Sequence, residues 1–184
     1  MGLQEGEATK MKQKNIFYDI KIQLMFAIYV YVLCKVVLFK FGSIDMTFLW
    51  QQLKISLVNP DYISRRIHHG NLTPFKEISR TMNELSSHDL FYLVGNIAIF
   101  MPYGILLGLL SKNKKISFIG AFIRSFGLSL CLESAQAVFS IGSFDVDDLI
   151  LNSSGGLIGF FAFKIGILLM GTTLNVTRAK NRPV

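Results

Sequence analysis

Hydrophobic residues fall into four long runs, separated by shorter stretches that are rich in polar residues. The runs cover about residues 20–41, 91–110, 116–140 and 149–170. A helix rises about 1.5 Å per residue, so each run is long enough to cross a hydrocarbon core about 30 Å thick. The pattern therefore predicts an all-α integral membrane bundle of about four transmembrane helices.

The connection between the first two runs contains a shorter apolar stripe. Its members recur at helical spacing, and they are Met46, Leu49, Trp50, Leu53 and Leu57. The stripe is too short to span a bilayer and predicts an amphipathic helix in the membrane interface, ended by Pro60. The pattern leaves open whether residues 45–58 lie in the interface or pack against the bundle.

Polar side chains interrupt the third and fourth runs and fill the turn between them. In chain order they are Glu133, Gln136, Asp145, Asp147, Asp148 and Asn152. An ionisable residue inside a membrane costs at least a few kcal/mol, which makes such residues functional candidates. Asn96, near the start of the second run, is a further polar candidate.

Composition and charge support the membrane class. The chain has 184 residues, of which 51% are hydrophobic and 17% charged, with a net charge of +7. A soluble domain would carry about a quarter charged residues. The basic residues lie in short patches beside apolar runs, which favours contact with anionic lipid headgroups over nucleic acid. We therefore expect membrane lipids as partners and no nucleic acid.

The distribution of basic residues predicts the topology. Four spans put both termini and the 111–115 connector on one side, and each of these three segments carries three Lys or Arg residues. The positive-inside rule then places both termini in the cytoplasm and the acidic turn outside a bacterial plasma membrane. We expect a single membrane domain over residues 16–172, a disordered tail over 1–15 and a basic tail over 173–184.

Depth in the bilayer follows from counting along the predicted helices. Asn96, Glu133, Gln136 and Asn152 should all lie in the outer half, close to the acidic turn. The polar 64–75 segment, with Arg65 and Arg66, would cover this cluster. The simpler alternative is that these groups only cap helix ends and hydrogen-bond between spans.

Three sequence blocks follow one another with characteristic spacing. They are Asn71-Leu-Thr-Pro-Phe75, then Asn96-Ile-Ala-Ile-Phe-Met-Pro-Tyr-Gly104, and then Glu133-x-x-Gln136 followed by Phe144-Asp-x-x-Asp-x-x-x-Asn152-x-x-Gly-Gly156. In this order the blocks resemble the VanZ family of bacterial membrane proteins, over about residues 65–160. Each block alone is weak evidence, but the three together are specific.

The resemblance implies a role in antibiotic response at the cell envelope. The founding member of the family is associated with resistance to teicoplanin, a glycopeptide that bears a fatty acyl chain. The blocks also supply the ligand-binding candidates, which are Asn71, Pro74, Phe75, Asn96, Glu133, Gln136, Asp145, Asp148 and Asn152.

Two mechanisms fit these candidates. The first is a non-enzymatic module that binds a lipid headgroup, a lipid-linked wall precursor or the acylated drug at the outer leaflet. The second is an enzyme that modifies an envelope lipid or glycopolymer, with Glu133 as general acid or base and Asp145 and Asp148 holding a divalent cation. No cofactor is evident, and the chain has no Ser/His/Asp order, zinc spacing or phosphate loop, which favours the first mechanism.

A transporter or channel is the third alternative. Four spans without a visible inverted repeat argue against alternating access within one chain. The pairs Gly104/Gly108 and Gly155/Gly159 form small-residue strips, and these would permit a homo-oligomer.

Overall fold

A computed structural model describes residues 2–39, 42–84, 87–111 and 116–180. These residues form seven helices, which are α1 (Gly2–Phe39), α2 (Met46–Val58), α3 (Pro60–His68), α4 (Lys76–Glu84), α5 (Ser87–Leu110), α6 (Phe118–Phe139) and α7 (Val146–Lys180). They include no β-strand, and one isolated parallel bridge joins Asn71 to Asp145. The predicted all-α class is confirmed.

Four of these helices are long and apolar enough to cross a membrane. The candidate spans are Ile16–Phe39, Leu90–Leu110, Phe118–Phe139 and Val146–Met170, with mean hydropathies between 1.3 and 2.2. They coincide with the four apolar runs, which confirms the predicted membrane helical bundle.

The two ends of the chain differ from the expected tails. Helix α1 begins at Gly2 and so includes most of segment 1–15, for which the sequence predicted disorder. Its Gln, Glu, Ala, Lys and Met residues are good helix formers, which accounts for the extension. Helix α7 likewise continues to Lys180, into the predicted basic tail. Residues 112–115 of the basic connector and the last four residues lie outside the described residues.

Helices α5 and α7 form the closest pair, and glycines bring them together. A Cβ atom on Gly155 would lie 2.1 Å from the carbonyl oxygen of Ile97, and one on Gly159 would lie 1.9 Å from that of Met101. A Cβ on Gly104 would meet a carbonyl of α7 at 1.9 Å. The contacts advance together along both helices, so the two run parallel. These glycines of the two small-residue strips thus make a close helix contact within the chain, which leaves a homo-oligomer to other surfaces.

The apolar core lies where the four spanning helices meet. Its buried members are Leu33, Phe100, Tyr103, Leu107, Ala121, Leu132 and Phe160. Beside it, Tyr29 on α1 donates a 2.5 Å hydrogen bond to the carbonyl of Ile99 on α5. Pro102 follows within the same helix and has no N–H to donate to the preceding turn. The Tyr29 hydrogen bond joins α1 to α5 next to the turn where the N–H of residue 102 is missing.

Helix α2 packs across the end of α6 and keeps an apolar face exposed. Asp45 caps it, accepting hydrogen bonds from the N–H groups of its first turn at 2.9 and 3.0 Å. Ser56 is buried and donates a 2.8 Å hydrogen bond to the carbonyl of Val138 on α6. Met46, Trp50 and Leu57 remain exposed. Residues 45–58 therefore both pack against the bundle and present an apolar surface.

Helix α3 extends into the polar 64–75 segment. Pro60 ends α2, as predicted, and also stands in the first turn of α3, which continues to His68. Proline is favoured there because the first N–H groups of a helix have no intrahelical acceptor. The irregular segment that remains begins at His69 and ends before α4.

Candidate functional site

The segment before α4 is held directly against the acidic turn. The N–H of Asn71 donates to the carbonyl of Phe144, and the N–H of Val146 donates to the carbonyl of Asn71, both at 2.9 Å. The Asn71 side chain also donates a 3.0 Å hydrogen bond to Asp145 Oδ1. That same oxygen accepts from the N–H of Asp147 at 2.8 Å, so Asp145 acts as the N-terminal cap of α7. Asn71 and Asp145 are brought together as expected.

Arg66 contacts the same turn from α3, whereas Arg65 does not. Arg66 Nη2 donates a 2.6 Å hydrogen bond to the carbonyl of Gly142. Arg65 instead reaches back along its own helix to the carbonyl of Asp61 at 3.4 Å. Only one of the two arginines expected to cover the cluster therefore reaches it.

Glu133 supports the turn from within α6. Its side chain is fully buried, with 0% exposure. Its Oε2 atom accepts a 3.0 Å hydrogen bond from the backbone N–H of Asp145. The carboxylate therefore positions the main chain of the acidic turn.

Asp147 anchors the start of α4, a role that the sequence did not reveal. It is fully buried, and its two carboxylate oxygens accept from the N–H groups of Phe75, Glu77 and Ile78 at 2.5, 2.7 and 3.2 Å. The first N–H groups of a helix lack intrahelical acceptors and attract negative charge. Phe75 has a φ of 64°, so Asp147 also stabilises an uncommon backbone conformation there. Its partners lie some 70 positions away, so no local signal marks this role.

Asp148 joins α7 to α5. Its Oδ1 atom accepts a 2.6 Å hydrogen bond from Asn96 Nδ2 and a second, short one from the hydroxyl of Tyr92. Tyr92 was not among the expected site residues. Its spacing of four from Asn96 places both on the same helix face, and this signal could have identified it.

Gln136 and Asn152 bind other partners. Gln136 Nε2 donates a 3.0 Å hydrogen bond to the carbonyl of Val37 on α1. Asn152 Nδ2 donates to Ser129 Oγ on α6 at 2.9 Å and is 2% exposed. Asn152 follows Asp148 by one turn and faces α6 rather than α5, so it lies deeper between helices.

A groove of about 600 Å³ lies between α1, α5 and the acidic turn. Its lining residues are Val36, Val37, Phe91, Tyr92, Gly95, Asn96, Ile99, Gln136, Gly142, Ser143, Asp145 and Asp148. Its lining combines polar side chains of α5, α6, α7 and the acidic turn with apolar side chains of α1 and α5. A Cβ atom on Gly95 would meet nothing within 4 Å, so this glycine opens onto free space.

The expected site residues divide into two groups by their relation to this groove. Asn96, Gln136, Asp145 and Asp148 line it. The others, which are Asn71, Pro74, Phe75, Glu133 and Asn152, do not appear among its lining residues. Of these, Asn71 and Glu133 hydrogen-bond to Asp145 and so support the groove from outside.

A metal centre was one expectation for the acidic residues. Within the described part of the chain, no group of three or more His, Cys, Asp or Glu side chains is arranged to hold a metal ion. Asp145 and Asp148 both line the groove, but each directs its Oδ1 atom to protein donors. A divalent cation at this pair stays a prediction.

Comparisons with known proteins agree with the three sequence blocks. The family described as VanZ/LLP1 matches residues 26–169. Protein VanZ of Enterococcus faecium is 35% identical over 89 residues, which are 48% of this chain and 48% of that protein. The match therefore spans about half the length of that relative, and no solved structure matches. With a family match over most of its length, the chain belongs to the VanZ/LLP1 family.

Proposed function

We propose that the groove binds an amphiphile at the outer surface of the bacterial plasma membrane, and that this binding contributes to resistance to lipid-bearing glycopeptides of the teicoplanin type. The bound molecule would be a lipid, a lipid-linked wall precursor or the acylated drug. The observation that carries the proposal is a groove that combines two carboxylates with apolar side chains, set between two membrane-spanning helices.

The size and lining of the groove suit such a ligand. Small-molecule sites in proteins usually measure about 300–1,000 Å³ and combine apolar walls with a few polar groups. At about 600 Å³, the groove falls within this range. Ile99 would contact a hydrocarbon chain that runs into the bilayer, while Asp148 would meet the polar headgroup of the same molecule.

The basic residues of the sequence support an outward-facing groove. Both terminal segments and the 111–115 connector carry the Lys and Arg clusters, and four spans put them on the side opposite the acidic turn. Under the positive-inside rule this arrangement favours an extracytoplasmic groove, where a glycopeptide or a wall precursor would be met.

The hydrogen bonds favour binding over catalysis. Glu133 was the proposed general acid or base, but its carboxylate accepts from the backbone of the turn and is fully buried. The enzyme alternative keeps one supporting observation, which is that both Asp145 and Asp148 line the groove. Comparing envelope lipids and wall precursors with and without the protein separates the two functions. A new covalent species that depends on Asp145 or Asp148 would establish the enzyme.

The decisive test fills the groove without disturbing its walls. A deletion strain is complemented with the wild type, with Gly95→Trp or with Gly127→Trp, and its susceptibility to acylated and non-acylated glycopeptides is measured. Gly127 is the matched control, because a Cβ there also meets nothing within 4 Å, yet it lies on α6 outside the groove. Gly95→Trp should lose protection against the acylated drug although the amount of protein in the membrane is unchanged, while Gly127→Trp should keep this protection. Full protection by Gly95→Trp, or equal protection against both drug classes, would refute the proposal.

A further inference from the structure

We infer that the headgroup recognised by the groove is cationic, an ammonium group carried by an amphiphile with a single alkyl chain. The inference rests on the proposed function and narrows it, because lipids and wall precursors with a phosphate headgroup would then be disfavoured as direct ligands. It follows from the charges, hydrogen-bond donors and shape of the groove.

The charges that line the groove are negative. Asp145 and Asp148 belong to its lining, and none of the described lining residues is Lys, Arg or His. Charges interact more strongly in a partly desolvated site than in bulk water, so two carboxylates attract a cation and repel an anionic phosphate there.

The charged groups behind the lining do not reverse this balance. Arg66 is the basic residue that contacts the turn, and its guanidinium donates to the carbonyl of Gly142 rather than lining the groove. Glu133 lies behind the turn as well and bonds the N–H of Asp145. One cation and two further carboxylates, those of Glu133 and Asp147, therefore stand behind the two carboxylates that line the groove.

The Tyr92 hydroxyl and one N–H each of Asn96 and Gln136 already serve protein acceptors. Asn96 Nδ2 and the Tyr92 hydroxyl both donate to Asp148, and Gln136 Nε2 donates to the carbonyl of Val37. Carboxylates only accept hydrogen bonds, whereas an ammonium group offers three donors and no acceptor. The charged groups of the groove are therefore all acceptors, and an ammonium headgroup complements them.

The apolar part of the site suits one chain. Beyond the Tyr29–Ile99 hydrogen bond, the same helix pair forms a second, open depression of about 390 Å³, with Val32, Pro102 and Ile105 among its apolar lining. Asn96 and Ile105 are separated by about 14 Å along α5, close to the roughly 15 Å thickness of one hydrocarbon leaflet. A single alkyl chain would therefore match the distance from Asn96 to Ile105 if it lay along the apolar surface of α1 and α5.

Binding of three probes with the same alkyl chain tests the headgroup. Dodecylammonium, dodecyl phosphate and dodecanol are titrated separately into the purified full-length protein in lipid nanodiscs, and the shift of its melting temperature gives the apparent affinity. Dodecylammonium should bind at least about tenfold more tightly than dodecyl phosphate, as expected when like charges are brought together in a partly desolvated site. Gly95→Trp should abolish the shift, and Gly127→Trp should retain it.

The second part of the experiment removes the negative charge of Asp148. Asp148→Asn keeps an oxygen for Tyr92 and Asn96 while removing the charge, and it should weaken dodecylammonium binding by about tenfold. Asp61→Asn removes an exposed carboxylate on α3 outside the groove and should change nothing. Dodecyl phosphate could instead bind as tightly as dodecylammonium, or more tightly, with binding that Gly95→Trp abolishes. That result would refute the inference of a cationic headgroup and leave the proposed function standing. If no probe binds in a manner sensitive to Gly95→Trp, the amphiphile site itself is refuted.

Discussion

Asn96 on α5 donates a 2.6 Å hydrogen bond to Asp148 on α7, although the two residues lie 52 positions apart. The bond joins the two parallel helices beside the groove. It fixes the Asp148 carboxylate in the groove lining, while the glycine contacts further along the two helices hold them together. One pair of residues therefore both joins the helices and lines the groove.

The first prediction separates groove residues from buried contacts. Asp148→Ala should abolish protection against an acylated glycopeptide, because it removes a charged group from the groove lining. Asn152→Ala should keep protection and lose only about 0.5–2 kcal/mol of stability, the usual size of a hydrogen bond between membrane helices. The two variants are compared by the drug susceptibility of strains that carry equal amounts of each protein in the membrane. Loss of protection in a well-folded Asn152→Ala variant would mean that the functional site extends deeper than the groove.

The second prediction concerns the anchor of α4. Asp147→Ala removes the acceptor of three backbone N–H groups and should destabilise the protein by about 3 kcal/mol or more. The damage should be local, with faster hydrogen exchange and proteolysis over residues 71–84. Asp61→Ala, at an exposed position in the first turn of α3, is the control and should cost no more than about 1 kcal/mol. Unchanged exchange in the Asp147 variant would contradict the assigned role.

The third prediction tests the contact between α5 and α7. Gly159→Leu should lower the melting temperature strongly, because even a Cβ would lie 1.9 Å from the Met101 carbonyl and the backbones would have to separate. Overpacking of this kind typically costs about 1–3 kcal/mol and occasionally more. Gly166→Leu on the same helix is the matched control, since a Cβ there meets nothing within 4 Å. Similar melting temperatures for the two variants would argue against this helix pairing.

The fourth prediction places α2 at the membrane surface. Trp50, the sole tryptophan of the chain, is 58% exposed on the apolar face of this helix. Tryptophan favours the headgroup level of a bilayer. In vesicles, its fluorescence should be quenched more strongly by lipids brominated near the headgroup than by lipids brominated near the chain end. Quenching by an aqueous agent alone would instead place the helix in water.

Local patterns in the sequence were sufficient for the membrane class and the four spans. The length and hydropathy of a run are properties of consecutive residues, and they determine whether a helix can cross a bilayer. The glycine spacing likewise indicated a close helix contact, which Gly155 and Gly159 make with α5. The three blocks also indicated the family correctly, because their residues and spacing can be recognised without knowing the contacts.

Only the tertiary structure decided which polar side chains face the groove. Asp148 and Asn152 are one turn apart, yet one bonds α5 beside the groove and the other bonds Ser129 inside the bundle. Asp147 turns to the backbone of α4, about 70 positions earlier in the chain. The partner of each of these side chains depends on how its helix is rotated about its axis when the bundle packs. That rotation is set by contacts between distant segments, whereas the spans themselves are set by the hydrophobicity of neighbouring residues.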